Sequence, residues 1–343
     1  MIRVLVADDS ATVRAALILL LSEEPGMTIV GQAADGIEAV DKARSLRPDV
    51  ITMDVTMPRL DGLGATAAIM AEAPSRVLVV CSVSEDRQLD LSFRAMAAGA
   101  LELIAKPAPG KSELQRWGKR VAEAVRLMAE VPVVRRQKAT APSLQAQLGP
   151  HASVAVVGIA ASTGGPPALA QVLAELPEGF PVPILIAQHI AEGFTTGLVR
   201  WLGSVCKVKV ETARDGTRPR PGHVYFPPDG RDLELDPGGS LRTPKGTSLH
   251  CPSGNRLLSS LARAYGPSAA GLILTGMGDD GAQGLLALRN AGGQTFAQDE
   301  ATSIVFGMPQ AALACGATKH SIALDSIAPM LVELCKETRG RSR

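Results

Sequence analysis

Short apolar runs alternate with amphipathic stretches along almost the whole chain. In the first hundred residues the apolar runs are Val4–Ala7, Thr28–Ala33, Val50–Asp54, Val77–Ser82 and Leu101–Ala105. They read as strands. Between them, apolar residues recur at helical spacing over Thr12–Ser22, Gly36–Leu46 and Gln88–Ala98. Strand–helix alternation predicts a parallel sheet with helices on both faces. A further helical pattern covers Leu114–Met128. From Val131 to Ala152 the periodicity fails, in a proline-punctuated, mostly polar segment that reads as a linker. Its basic run Arg135-Arg136-Gln137-Lys138 reads as solvated linker rather than a binding site. The expected division is 1–122, a linker over 123–152, and a second domain over 153–343.

The second half opens on its most informative stretch, Val154 through Leu169. An apolar run, Val154–Ile159, breaks into Ser162-Thr163-Gly164-Gly165 and then Pro166-Pro167, followed by a helical pattern through Leu169, Val172, Leu173 and Leu176. This is a strand, a tight turn and a helix. A helix N-terminus at that turn carries unpaired N–H groups and the positive end of the helix dipole. Three readings fit: a phosphate cradle, a nucleophilic Ser162 beside oxyanion donors, or a plain glycine-rich connection with a capping serine. Further on, Val182–His189 reads as a strand, Thr195–Gly203 as a helix and Val208–Thr212 as a strand. Val224–Phe226 and Asp232–Leu235 read as short hairpin strands in a Pro/Gly-rich region. Ser253–Tyr265 is helical, Ala270–Thr275 is a buried strand, and Ala282–Asn290 is a helix. Thr295–Gln298 and a helix near Met308–Cys315 close the domain. This half is expected to be doubly wound as well.

Composition narrows the class. A chain of 343 residues, 46% hydrophobic and 20% charged, can bury two cores. Its 35 basic and 34 acidic residues leave a net charge of +1, which argues against nucleic acid as the main partner. The five cysteines are scattered and never form a Cys-x-x-Cys pair, which fits a reducing cytoplasm and no zinc framework. No signal peptide opens the chain, and no apolar run approaches the roughly 18 residues that span a bilayer. The expectation is a cytoplasmic protein without membrane insertion.

In open parallel sheets ligands sit beyond the carboxyl ends of the strands. In the first half those ends carry Asp8, Asp9, Asp54, Ser82 and Lys106. Two carboxylates about 4 Å apart repel by on the order of 4 kcal/mol at an effective dielectric near 20. Mg²⁺ removes that penalty and favours carboxylate and water ligands. With Mg²⁺ on Asp9 and Asp54 and Asp8 behind them, an oxygen of Asp54 can attack a phosphoryl donor. Lys106 can neutralise the added charge, and the Ser82 hydroxyl can bond a phosphate oxygen. Lys106-Pro107 is an expected cis peptide.

The residues Ala7-Asp8-Asp9-Ser10, Met53-Asp54-Val55-Thr56-Met57-Pro58 with Asp61-Gly62, and Gly99-Ala100 before Lys106-Pro107 resemble the receiver domain of bacterial response regulators. The resemblance implies a flavodoxin-like five-stranded parallel sheet and phosphorylation of Asp54 by a histidine kinase. Counting forward from the fourth strand puts Cys81 at the family's hydroxyl position, and counting back from Lys106 puts Ser82 there. Ser82 is preferred, because it bonds phosphate well.

In the second half three strand ends carry Ser162, His189 and the pair Asp279-Asp280. A serine needs a base to take its proton, and the imidazole needs a carboxylate to fix its tautomer. The other histidines, 151, 223, 250 and 320, lack metal-ligand spacing, so a zinc hydrolase is not expected. The glycines do not follow Gly-x-Gly-x-x-Gly, which argues against a dinucleotide site.

With a receiver in front, this half resembles the chemotaxis-type protein-glutamate methylesterase family (CheB). The resemblance rests on Gly158-x-x-Ala161-Ser162-Thr163-Gly164-Gly165, Gln188-His189-Ile190 with Gly193-Phe194-Thr195, and Pro221-Gly222-His223-Val224-Tyr225. Thr275-Gly276-Met277-Gly278 with Asp280-Gly281, and Val305-Phe306-Gly307-Met308-Pro309, complete it. It implies Ser162 as nucleophile, His189 as base and Asp280 as acid, with Thr163 and the N–H of Met277 on the oxyanion. It also implies a phosphorylation-gated hydrolase that needs no cofactor in its esterase domain. Its substrates would be methyl-accepting chemotaxis receptors, whose glutamate esters it hydrolyses and whose glutamines it deamidates, with recruitment to receptor arrays. One stretch departs from the family: His250-Cys251-Pro252-Ser253-Gly254-Asn255 lacks an arginine and an aspartate usual there. The expectation is that this alters substrate contacts and leaves the triad alone. The competing reading is a response regulator whose output domain binds a ligand or partner without catalysis.

Overall fold

A computed structural model describes residues 1–82, 86–107, 111–130, 152–247 and 250–336. The chain divides into two compact units, Met1–Arg135 and Arg136–Arg343.

The first unit is built from β1 (Ile2–Ala7), α1 (Ala11–Ser22), β2 (Met27–Ala33), α2 (Gly36–Leu46), β3 (Val50–Met53), α3 (Gly62–Glu72), β4 (Arg76–Cys81), α4 (Asp86–Ala97), β5 (Glu102–Ala105) and α5 (Lys111–Glu130). Its five strands lie in the order β2-β1-β3-β4-β5, all parallel. Every residue of β3 is buried, as expected of a central strand covered on both faces. The reversal of strand order beside β1 opens the crevice that such sheets use for ligands. The pattern of apolar residues does not reveal α3, because Gly62-Leu-Gly-Ala-Thr-Ala-Ala carries small residues and two glycines. Its start is set instead by Asp61, whose side chain accepts the Gly64 N–H at 2.7 Å. Helix α5 runs to Glu130, beyond the boundary expected at 122. Val121, Val125 and Met128 on it are fully buried. The rest of the expected linker, 131–151, lies outside the described residues.

The second unit contains β6 (Val156–Ala161), α6 (Gly165–Glu175), β7 (Ile184–Gln188), α7 (Thr195–Val205), β8 (Lys209–Thr212), β9 (His223–Phe226), β10 (Glu234–Leu235), β11 (Leu241–Arg242), α8 (Gly254–Ala264), β12 (Ala269–Ile273), α9 (Ala282–Asn290), β13 (Gln294–Gln298), α10 (Met308–Ala314), β14 (Ser321–Ile322) and α11 (Leu324–Lys336). Seven strands form one parallel sheet in the order β14-β13-β12-β6-β7-β9-β8. All residues of β6, β7 and β12 are buried.

Two sequence expectations need correction. β9 is not half of a hairpin; it enters the main sheet between β7 and β8, while β10 pairs with β11. Nor does the fold close at residue 315. β14 adds a parallel edge and α11 packs on α6, with Ile327, Met330, Leu331 and Leu334 fully buried. The proline inside α11, Pro329, masks that helix from a propensity reading.

Candidate active site and acidic pocket

At the carboxyl edge of the first sheet, Asp8 directly follows β1 and Asp54 directly follows β3; both are buried, while Asp9 is exposed. One oxygen from each of Asp8, Asp9 and Asp54 lies within 4.8 Å of the others. Lys106, directly after β5, places its Nζ 2.8 Å from Asp8 Oδ2 and 3.0 Å from Asp54 Oδ2. Burial pushes the Asp54 carboxyl up to about 6, against the pull of the Lys106 charge. Burial also opposes the Lys106 ammonium, but Asp54 and Asp8 hold its pKa above the ordinary lysine value. Asp8 Oδ2 is buried with the Lys106 ammonium as its partner. Three carboxylates whose oxygens converge in this way suit a hard divalent cation. Lys106 reaches the pocket without a cis peptide: among the described residues only Cys251-Pro252 is cis. Cys81 ends β4 and is fully buried, and burial pushes its thiol up to about 11. Ser82, the next residue, is partly exposed and is the only hydroxyl of the two candidates.

In the second unit, β6 lies between β12 and β7, so the turns that follow these strands are neighbours. Ser162 directly follows β6. Its N–H donates to Thr275 O at 3.0 Å, and His189 N–H donates to Ala161 O at 2.9 Å. These main-chain bonds place Ser162 beside the Thr275–Gly281 turn on one side and His189 on the other. Two glycines permit the close approach. Gly164 adopts φ +74°, which L side chains rarely reach. A Cβ on Gly276 would stand 2.7 Å from Ser162 Cβ.

His189 Nε2 and Asp280 Oδ2 are 2.8 Å apart. Asp280 is buried, whereas its neighbour Asp279 is exposed. The carboxylate of Asp280 is also held by the start of α8. Gly254 N–H donates to Oδ2 at 2.6 Å, Asn255 N–H to Oδ1 at 3.1 Å and Ser253 Oγ to Oδ1 at 3.0 Å. Burial works against ionisation, but the His189 bond and the N–H groups of Asn255 and Gly254 hold the carboxyl down at about 2. Asp280 therefore stays ionised while buried.

The stretch His250–Asn255 contains none of the three triad positions, yet among the described residues Ser253, Gly254 and Asn255 supply three of the four hydrogen bonds to the Asp280 side chain. Asn255 points its Oδ1 at the Gly284 N–H, 2.8 Å away, which ties α8 to α9. His250 stacks on His189 with ring centroids 4.9 Å apart and planes 6° from parallel. The Pro-Ser-Gly-Asn run before a helical pattern is a capping signal that could have suggested an anion site there.

The expected source of oxyanion donors also needs refinement. Pro166 and Pro167 remove two N–H groups from the first turn of α6, and Gly165 N–H already donates to Ser162 O at 2.8 Å. The helix end therefore offers little. The main-chain N–H groups of Thr163 and Met277 have no acceptor among the described residues. No hydrogen bond joins the Ser162 hydroxyl to His189 among the described residues. Where a serine and a histidine act together in a hydrolase, their contact is often long in the free enzyme and tightens with substrate.

Taken in turn, the two units define the class: a response-regulator receiver joined in one chain to an α/β catalytic domain. Residues 4–116 match the response regulator receiver domain, and residues 157–331 match the CheB methylesterase. The chain belongs to the CheB methylesterase family. It is 55% identical over 97% of its length, and 94% of the relative's, to protein-glutamate methylesterase/protein-glutamine glutaminase 3 of Myxococcus xanthus (strain DK1622). It is 44% identical to protein-glutamate methylesterase/protein-glutamine glutaminase 2 of Anaeromyxobacter dehalogenans (strain 2CP-C), over 98% of this chain and 97% of that one. The crystal structure of the Thermotoga maritima CheB methylesterase catalytic domain matches with a TM-score of 0.51 and 34% identity, covering 53% of this chain and all of that one. Among the described residues no helix is long and apolar enough to cross a membrane.

Proposed function

We propose that this chain is a phosphorylation-activated hydrolase of methyl-accepting chemotaxis receptors, removing methyl esters from their glutamates and deamidating certain glutamines. The observation that carries this reading is the pairing of His189, at the end of β7 beside Ser162, with the buried carboxylate of Asp280. The names and extents of the relatives support the substrate class.

In the proposed mechanism Ser162 Oγ attacks the ester carbonyl as His189 takes its proton. Asp280 stabilises the resulting imidazolium. The negative oxygen of the tetrahedral intermediate accepts from the N–H groups of Thr163 and Met277. The C–O bond to the methoxy group then breaks, His189 returns the proton, and methanol leaves. Water, deprotonated by the same histidine, attacks the acyl-serine and releases the glutamate carboxylate and the Ser162 hydroxyl. A glutamine substrate follows the same path with ammonia as the leaving group.

In the receiver, Asp54 accepts a phosphoryl group from a histidine kinase. Asp9 and Asp54 would hold Mg²⁺, with Asp8 behind them; when bound, the ion offsets charge on the phosphoryl oxygens. Lys106 and Ser82 then engage the phosphate. The proposed setting is the cytoplasm, at receptor arrays. The experiment is methanol release from methylated receptor membranes, comparing the whole chain with Ser162→Ala. Loss of release with an unchanged circular-dichroism spectrum is expected. Release by the mutant above a few per cent of the parent rate would rule out a serine nucleophile.

A further inference from the structure

We propose that Gln188 is a positioning residue that holds the main chains of the nucleophile and the base in register. The last ladder bond between β6 and β7 is His189 N–H to Ala161 O, at 2.9 Å. Beyond it no backbone bond joins Ser162 to His189, although the proposed reaction needs their side chains at a fixed separation. Gln188 supplies the missing link. Its single amide nitrogen donates to Ser162 O at 2.9 Å and to His189 O at 2.8 Å. The two hydrogens of one planar group thus tie both catalytic strand ends together.

The arrangement is built for this side chain. Gln188 is only 2% exposed. A Cβ on Gly165 would stand 2.0 Å from its Oε1, so α6 can begin here only on a residue without a side chain. Oε1 itself has no hydrogen-bond partner. Turning the amide over would set that oxygen against two carbonyl oxygens and improve nothing, so the orientation is determined by the two donor bonds. A buried amide with one oxygen unpaired is costly to keep. Its two donor bonds lie on the residues flanking the reaction, which is where small displacements cost most: an error near 1 Å can reduce turnover about 100-fold.

This inference rests on the reading of Ser162 and His189 as nucleophile and base, and its test separates the two. The whole chain, Ser162→Ala, Gln188→Met and Gln188→Glu are compared in three measurements. These are kcat and KM on methylated receptor membranes, the rate at which a fluorophosphonate probe labels Ser162, and the thermal midpoint. Methionine keeps the volume and removes both donors. Glutamate keeps the shape and, when protonated in its buried site, retains one donor. The expected result is a fall of roughly 10- to 100-fold in both kcat and labelling rate for Gln188→Met. Gln188→Glu should fall in between, with KM changed less than about threefold. Failure of the probe to label Ser162 in the parent chain would remove the underlying reading. If the parent is labelled there and a folded Gln188 variant matches its kcat and labelling rate, the positioning role is wrong, whatever happens to the midpoint. If Gln188→Met does not fold, Gln188→Glu decides by the same measure.

Discussion

His189 presents its Nε2 to Asp280 at 2.8 Å, which leaves Nδ1 as the nitrogen available to a serine. The other oxygen of that carboxylate is taken up by Ser253 and Asn255, so Asp280 cannot rotate away without breaking bonds on both sides. Orientation of the imidazole is thus set by the α8 turn as much as by the Gly-Met-Gly turn that carries the aspartate.

The two adjacent aspartates should therefore differ sharply. Asp280→Asn replaces the acceptor facing His189 with a group that can favour the wrong tautomer, a loss that reaches about 10⁴-fold in such triads. Asp279→Asn alters an exposed side chain and should keep turnover within about threefold of the parent. Steady-state methanol release from both variants checks this. A worse result for Asp279→Asn would transfer the acid role to that residue.

Acid stability follows from the same carboxylate. The folded pKa of Asp280 is about 2 against an ordinary 3.8, so its contribution is fully present above the ordinary value and is lost as pH falls through about 2. A shift of this size corresponds to on the order of 2 kcal/mol. Urea unfolding of the whole chain between about pH 5 and pH 2 should show a decline in stability that is shallower in Asp280→Asn. Parallel curves for parent and mutant would mean that the α8 turn does not stabilise the anion.

Asp54 has the opposite sign. Its folded pKa is raised to about 6, so its burial stabilises the protonated form and stability is lost as pH rises from 3.8 through about 6. At neutral pH Asp54→Asn should raise the thermal midpoint of the receiver transition. Mg²⁺ should raise the midpoint of the parent and have much less effect on Asp54→Asn, since one of the proposed ligands is gone. Calorimetry with and without Mg²⁺ measures both effects. An equal response to Mg²⁺ in parent and mutant would place the ion elsewhere.

Gating by the receiver is the fourth expectation. A small phosphodonor with Mg²⁺ should raise methanol release by the parent at least tenfold, which requires only about 1.4 kcal/mol of preference for the active form. Asp54→Asn should not respond. A fragment beginning near Ser153 should be faster than the unphosphorylated whole chain. A slower fragment together with a responsive Asp54→Asn would end the gating proposal.

Much of this architecture is legible in the amino-acid sequence. Apolar runs such as those over β3, β4 and β6 are short, rich in β-branched residues and bounded by turns, as a parallel sheet covered on both faces favours. The residues immediately after those strands then fall at one edge of each sheet, so Asp8, Asp54, Lys106, Ser162 and His189 could be grouped from strand endings alone. Local periodicity says nothing about the order of strands in space, which is why β9 read as half of a hairpin until its pairing with β7 and β8 was known. It also fails where small residues blur the helical stripe, as in α3, or where a proline interrupts it, as in α11. The resemblance points to Asp280 over Asp279, and in space Asp280 is buried against His189 while Asp279 is exposed, a difference that composition does not carry. Only the tertiary structure brought Ser253, Gly254 and Asn255 to Asp280, His250 to His189, and the Gln188 amide to the carbonyls of Ser162 and His189. These contacts depend on the packing of α8 and α6 against the ends of β6 and β7, and no run of neighbouring residues encodes a distance between elements that meet only when the sheet is assembled.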